Sequence, residues 1–241
     1  GWAVATDTPF AYTKQVASDY GGTRNGMVMH WPKGIKSRGE IRSQWHHVND
    51  VAPTVLDASN IPMPKTVNGV KQRPMDGVSM VYTFDEKNAD APSTHTTQYF
   101  EMIGDHAIYH DGWILSSKVV RLPWDNSGTA DKHPDTWPWE MYDLSEDWTQ
   151  YNDVSAQYPE KVKELEKLFW EEAERNQVLP LDTTTFTRSL LPRPNLTAGR
   201  TVFTYAGEVT GTPNANAPNV RASSGTMGTM YLPIFLSFKS L

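Results

Sequence analysis

"HTTQYFEMIGDHAIYHDGWILSSKVV", residues 95–120, decides the architecture. It holds three short runs rich in aromatic and β-branched residues, "HTTQYFEM", "HAIYHDG" and "WILSSKVV", punctuated by Gly104 and Gly112. Such runs suit a pleated, half-buried surface, and glycine supplies the backbone freedom of a tight reversal. The stretch therefore predicts an antiparallel meander. A fourth run, "WEMYDL" at 139–144, follows a loop rich in Trp and Pro.

Downstream, "YPEKVKELEKLFWEEAERNQ" at 158–177 predicts an amphipathic helix. Pro159 stands where a first helical turn accepts it. Val162, Leu165, Leu168, Phe169 and Ala173 recur at spacings of three and four, with Lys and Glu on the opposite side. The helix must cover something, and the meander is its nearest candidate. Together they make a compact α+β subdomain over 95–178.

Upstream, "HHVNDVAPTVLDASNIP" at 46–62 also reads as a helix. Asp50 lies near its start, Pro53 falls in the first turn, and Val51, Val55 and Leu56 share a face. Asn60 and Pro62 close it. Residues 61–94 are crowded with turn formers and read as a linker or long excursion. Residues 1–26 read mainly as loop, and "MVMHW" at 27–31 as a buried strand ending at Pro32. Residues 179–241 read as an extended tail. In it "RTVFTYAGEV" predicts one strand, "TGTPNANAPN" a loop, and "GTMGTMYLPIFLSFKSL" a terminal strand pair.

The totals narrow the function. The 241 residues carry a formal net charge of -6, with 38% hydrophobic and 21% charged residues. That balance fits a globular chain and lacks the basic face of a nucleic-acid binder. No stretch approaches the roughly 18 continuous apolar residues of a membrane helix. Cysteine is absent, so thiolate metal sites, disulfides and cysteine nucleophiles are excluded. The N-terminal "GWAVATDTPF" carries no leader-like pattern, and the chain is expected to begin inside a larger sequence.

Chemistry concentrates in "YTKQVASDYGGTRNGMVMHWP", residues 12–32. Gly21-Gly22 allows close backbone approach, and Lys14 and Arg24 flank it with positive charge. From spacing alone this is either an oxyanion-binding loop or a tight turn with basic neighbours. The adjacent His46 and His47 point apart on any regular element and read as structural or surface residues. His106 and His110 share a strand face but lack a third ligand nearby.

Taken in order, "GWAVATDTPFAYTKQVASDYGGTRNGMVMHWPKGI", "HHVNDVAPTVLDASNIP", "VNGVKQRPMDGVSM", "TQYFEMIGDHAIYHDGW", "WEMYDLSED" and "VLPLD" resemble the C-terminal half of a sulfatase of the arylsulfatase type. The likeness runs over residues 1 to about 200. It implies an α/β fold, the C-terminal part of an alkaline-phosphatase-like sulfatase core, plus a small antiparallel β-sheet/α-helix subdomain. Residues 1–60 would end the core, 61–94 form the excursion, 95–178 the subdomain, and 179–241 the tail, a candidate start of a β-rich extension.

The resemblance also implies hydrolysis of sulfate esters to an alcohol or phenol plus sulfate. In the family a formylglycine serves as nucleophile, usually beside a Ca²⁺. Lys14 stands where the family lysine contacts the sulfate group. Asp19 stands where many relatives carry a histidine, which makes it a substrate-side candidate. Gly21 and Gly22 become the structural turn. The Cys/Ser-x-Pro-x-Arg signature of the formylglycine and the family's metal-binding carboxylates are missing from this sequence. The chain is therefore expected to be inactive alone, with no metal ligand of its own. The N-terminal half of the same sulfatase would be its partner and a small sulfate ester its substrate. A phosphoester or phosphonate hydrolase shares the required anion clamp. A non-catalytic binding or assembly module is the reading from a different class, given nine tryptophans and no nucleophile.

Overall fold

Short helices precede the sheet in the first of two units, Gly1–Ser189. The computed structural model describes residues 1–67, 69–118 and 133–183, and the backbone of 202–206, 220–221 and 227–231. Helix α1 (Trp2–Asp7) and the one-turn α2 (Tyr20–Thr23) come first, then α3 (Val51–Ala58) behind a 3₁₀ turn at Val48–Asp50. A two-residue ribbon, β1 (Thr66–Val67) and β2 (Val70–Lys71), is followed by β3 (Thr97–Met102), β4 (Asp105–His110), β5 (Trp113–Ser117) and β6 (Trp139–Asp143). Helix α4 (Pro159–Arg175) completes the set.

Strands β3 to β6 pair in sequence order and antiparallel, the predicted meander. Two tight reversals set its register. Ile103 (φ 54°) and Gly104 (φ 85°) join β3 to β4, and Asp111 (φ 43°) and Gly112 (φ 85°) join β4 to β5. Positive φ at both central residues is the type I′ signature, whose twist matches that of the flanking strands.

Pairing Ile108 with Leu115, and Leu115 with Met141, aligns these three on one face. Helix α4 covers that face with Leu165, Phe169 and Ala173, all 0% exposed. Burying a large apolar side chain contributes about 1.5–3 kcal/mol, so this layer anchors the subdomain. The helix stops where Gln177 turns left-handed. Gln177 N–H then bonds Glu174 O at 3.0 Å and Val178 N–H bonds Ala173 O at 2.9 Å, a Schellman closure. Val178 packs back onto the same core. The opposite face presents Ala107, Ile114 and Tyr142, and the N-terminal segment lies on it.

Two expectations fail. Residues 27–31 form no strand: they are unpaired coil, with Met27 53% and Val28 94% exposed. A short apolar run of this kind needs a partner strand, and none of the described residues supplies one. In α3 the buried residues are Pro53 and Thr54, while Val51 and Val55 face outward. The inner face is chosen by polar bonds: Thr54 Oγ1 donates to Asp50 O at 2.6 Å and accepts from Met80 N–H at 2.8 Å.

The second unit, Leu190–Leu241, contains β7 (Val202–Ala206), β8 (Val220–Arg221) and β9 (Met227–Tyr231). They form an antiparallel sheet of order β7-β9-β8. Strand β7 is the one predicted in "RTVFTYAGEV". Of the expected terminal pair, β9 is described, and the rest of 225–241 lies outside the described residues. Among the described residues no helix is long and apolar enough to cross a membrane.

Candidate functional site

Tyr20 fastens the N-terminal segment to the sheet. It joins Ala107, Ile114 and Tyr142 in a buried cluster, with Phe10, Phe100 and Leu144 packed around it. Its hydroxyl accepts from Trp45 Nε1–H at 3.0 Å, and burial pushes that hydroxyl up to about 12. Trp45 in turn stacks on Tyr109 with centroids 4.0 Å apart. Residues 16–20 are all buried, so their backbone needs partners. Gln150 provides them: its Nε2 donates to Ser18 O at 3.1 Å and its Oε1 accepts from Tyr20 N–H at 2.7 Å. One side-chain amide thus acts as a neighbouring strand would.

Gly21 and Gly22 form the single turn of α2. A Cβ on Gly21 would collide with the carbonyls of Ala11 and Tyr12, and one on Gly22 with those of Val16 and Thr13. Glycine is required here for close approach, since neither residue has positive φ. Loop 11–16 wraps this turn, and Lys14 sits on the loop, exposed. Lys14 has no hydrogen-bond or ion-pair partner among the described residues. On either side Tyr12 (φ 64°) and Gln15 (φ 82°) adopt left-handed backbone, which costs a non-glycine residue about 1–2 kcal/mol. Strain of this kind persists only where surrounding structure enforces it.

Beside the loop is a charge cluster in which Asp19 and the Lys118 side chain are buried and Glu140 is part-exposed. Asp19 is 1% exposed and accepts from Ser18 Oγ at 2.8 Å. Lys118 Nζ lies 3.2 Å from Asp19 Oδ1 and 2.5 Å from Glu140 Oε2, and 5.6 Å from the Tyr12 ring centroid. Tyr142 donates to the same Glu140 oxygen at 2.8 Å. Two carboxylates therefore share one ammonium. Burial alone would lower Lys118, but Asp19 and Glu140 outweigh it and hold the ammonium protonated more firmly than usual. Burial pushes Asp19 up by more than Lys118 and Ser18 pull it down, because its one cation is divided with Glu140. Burial and Glu140 both raise the Tyr142 hydroxyl.

The structure separates the two charged residues singled out in the sequence. Lys14 faces solvent, whereas Asp19 is turned inward onto Lys118. The residues that hold the loop, Lys118, Glu140 and Gln150, carry no local motif. They lie 99, 121 and 131 positions beyond Asp19 and reach it only through the fold.

A second buried carboxylate, Asp50, organises the flank. Its oxygens accept from His46 Nδ1 at 2.9 Å, His95 Nδ1 at 2.7 Å, His47 N–H at 3.0 Å and Val78 N–H at 2.8 Å. Burial alone would raise Asp50, but these donors outweigh it and hold the carboxyl well below the usual range. His46 Nε2 meets Tyr82 OH at 3.1 Å, and His95 Nε2 meets Thr97 O at 3.0 Å. His47 stacks on Trp45, and burial lowers it.

Asp19 and Asp50 have their oxygens committed to protein donors. Among the described residues no group of three or more His, Asp or Glu is arranged to hold a metal ion. The described side chains do not fit a resident Ca²⁺.

No family model matches the chain. It is 26% identical over 150 residues to an N-acetylglucosamine-6-O-sulfatase of Bacteroides thetaiotaomicron, an alignment covering 61% of this chain and 24% of that protein. Among solved structures, the crystal structure of Ps i-CgsB matches with a TM-score of 0.53 at 21% identity, over 76% of this chain and 36% of that one. The same protein in complex with k-i-k-neocarrahexaose matches with a TM-score of 0.54 at 21% identity and the same coverage. The chain thus spans about a quarter of the length of the curated relative and about a third of the solved one. The structural likeness speaks to the fold.

Proposed function

We propose that this chain, related to the sulfatases in sequence and sharing the alkaline-phosphatase-like fold of their C-terminal part, supplies one wall of a sulfate-ester hydrolase site. Lys14 is its sulfate-contacting residue. The observation that carries this reading is the state of Lys14: exposed, unpaired among the described residues, and raised on a loop whose base is fixed by Asp19, Lys118 and Gln150. An ammonium is a compact point charge with three donors. Held in advance on a rigid loop, it offsets charge on the oxygens of a transferring sulfuryl group without reorganising at the moment of reaction. Gly21 and Gly22 set the height of that loop. Asp19 acts through the loop and not on the substrate.

Nucleophile and metal belong, on this reading, to an N-terminal portion that the sequence in hand does not include. The chain alone is then inactive toward aryl sulfates. Joined in one polypeptide to a sulfatase N-terminal portion, it should give hydrolysis of p-nitrophenyl sulfate that Ca²⁺ chelation abolishes. Lys14→Ala in that protein should lower kcat/KM by about 10²-fold, the range seen when one preorganised charge-stabilising donor is removed. Undiminished turnover by Lys14→Ala would sink the assignment. Faster turnover of p-nitrophenyl phosphate than of the sulfate would move the activity to phosphoesters.

A further inference from the structure

Arg24 follows the Gly21-Gly22 turn and caps α2, its backbone N–H bonded to Tyr20 O at 2.8 Å. Its guanidinium carbon lies 5.0 Å from the Phe10 ring centroid, 5.3 Å from that of Trp148 and 5.7 Å from that of Tyr20. The rings brace one another, Phe10 meeting Trp148 edge-on at 5.2 Å and Tyr20 at 6.1 Å. Cation–π attraction holds the face of a guanidinium and leaves the N–H groups along its edge for other partners. Among the described residues the Arg24 side chain has no hydrogen-bond or ion-pair acceptor, and it is exposed. In a chain with 28 acidic and 22 basic residues, a guanidinium fixed by three rings and given no carboxylate among the described residues is a fork without its acceptor.

Its position adds to this. Gly22 packs on the carbonyls of Thr13 and Val16, the residues that bracket Lys14. The turn that carries Lys14 therefore also carries Arg24, so one backbone assembly bears two basic side chains without acidic partners among the described residues. A planar fork suits two oxygens of one oxyanion, whereas an ammonium meets them as a point charge.

We propose that Arg24 is an oxyanion-recognition residue, binding a second sulfate or carboxylate group of a sulfate ester, distinct from the group that Lys14 addresses. The choice of a sulfate ester rests on the function proposed above; the presence of an anion site at Arg24 does not. Bound there, a second acidic group would orient the ester, and substrates carrying one would be preferred over those with a single sulfate.

The test uses the full ¹⁵N-labelled chain, reading the Arg24 Nε–Hε resonance and the fluorescence of neighbouring Trp148. Sodium sulfate, sodium glucuronate and sodium chloride are titrated at matched ionic strength. A saturable shift with sulfate, glucuronate or both, and none with chloride, is expected. Whichever anion responds names the group. Arg24→Lys keeps the positive charge at the aromatic cluster but loses the fork, and should bind about tenfold more weakly. Its far-UV circular dichroism should match that of the parent. Lys14→Ala should retain the response, which separates this site from the proposed sulfate contact. If Lys14→Ala proved fully active, an Arg24 response would still stand. The proposal is overturned by the absence of a saturable shift, by unchanged affinity in Arg24→Lys, or by a response lost in Lys14→Ala yet kept in Arg24→Gln.

Discussion

Asp50→Ala is expected to destabilise the first unit by about 3–5 kcal/mol, the cost of removing one partner from a buried charged network. Asp50 is 0% exposed and accepts four hydrogen bonds, from two imidazoles and two backbone N–H groups. Those donors come from the segment leading into the 3₁₀ turn at Val48–Asp50, from the 77–78 loop and from the segment entering β3. Without the carboxylate they lose their shared acceptor, since alanine offers none. Urea unfolding at pH 7 should show the loss as a lowered midpoint. Asp50→Asn should fall between the two, because one amide oxygen remains to accept. The sign of the acid response follows from the depressed carboxyl. A folded-state value below the unfolded one gives stability that is present above the unfolded value near 3.9 and drains away as pH falls through the folded value. In Asp50→Asn that part of the acid transition should be missing. Unfolding midpoints equal to the parent's would show that the network carries no net stability.

His106 should produce the second large effect, in a different pH window and for the opposite reason. It is 0% exposed and packed among Trp137, Trp139, Phe169 and Trp170. Its Nδ1–H donates to Gly104 O at 2.7 Å, while Nε2 has no partner among the described residues. Burial lowers it from 6.5 to about 4, because a charged imidazolium would sit among rings and away from water. Between those values the unfolded chain binds a proton that the folded chain refuses, so stability falls as pH drops from 6.5 toward 4. The lost amount is about 3 kcal/mol at 1.36 kcal/mol per pH unit. His106→Phe should cost about 1 kcal/mol at pH 7 through the lost bond to Gly104. It should then overtake the parent on acidification, so that the two stability curves cross. Parallel curves between pH 7 and 4 would show that His106 is not the acid-sensitive group.

Much of the fold could be read from local pattern, since local physics determines it. The Asp-Gly at 111–112 fits a type I′ reversal without tertiary help, and the apolar spacing of α4 marks the face that it buries. The site was legible only in outline. Lys14 and Gly21-Gly22 lie within eight residues of one another, so a short motif holds them. What fixes them does not: Lys118 meets Asp19 across 99 positions and Gln150 meets Tyr20 across 130. Such pairs leave no periodicity behind. Residues 27–31 mislead for a related reason. An apolar run reports what a segment would bury given a neighbour, and it is silent on whether the neighbour is present. In α3 the valines suggested the inner face, but the bonds of Asp50 and Thr54 settled the rotation of the helix.

The sharing of one ammonium between Asp19 and Glu140 makes Lys118 and Lys14 different reagents, although both are lysines on adjoining structure. Lys118 is 9% exposed in its side chain and has its proton locked by two carboxylates, so its nitrogen lone pair is almost never free. Lys14 is exposed and has no such partner among the described residues. Toward acylating or aldehyde reagents Lys118 is shielded and paired while Lys14 is open to attack, so covalent modification of this loop falls on the residue proposed to meet the sulfate and spares the one that holds the loop up.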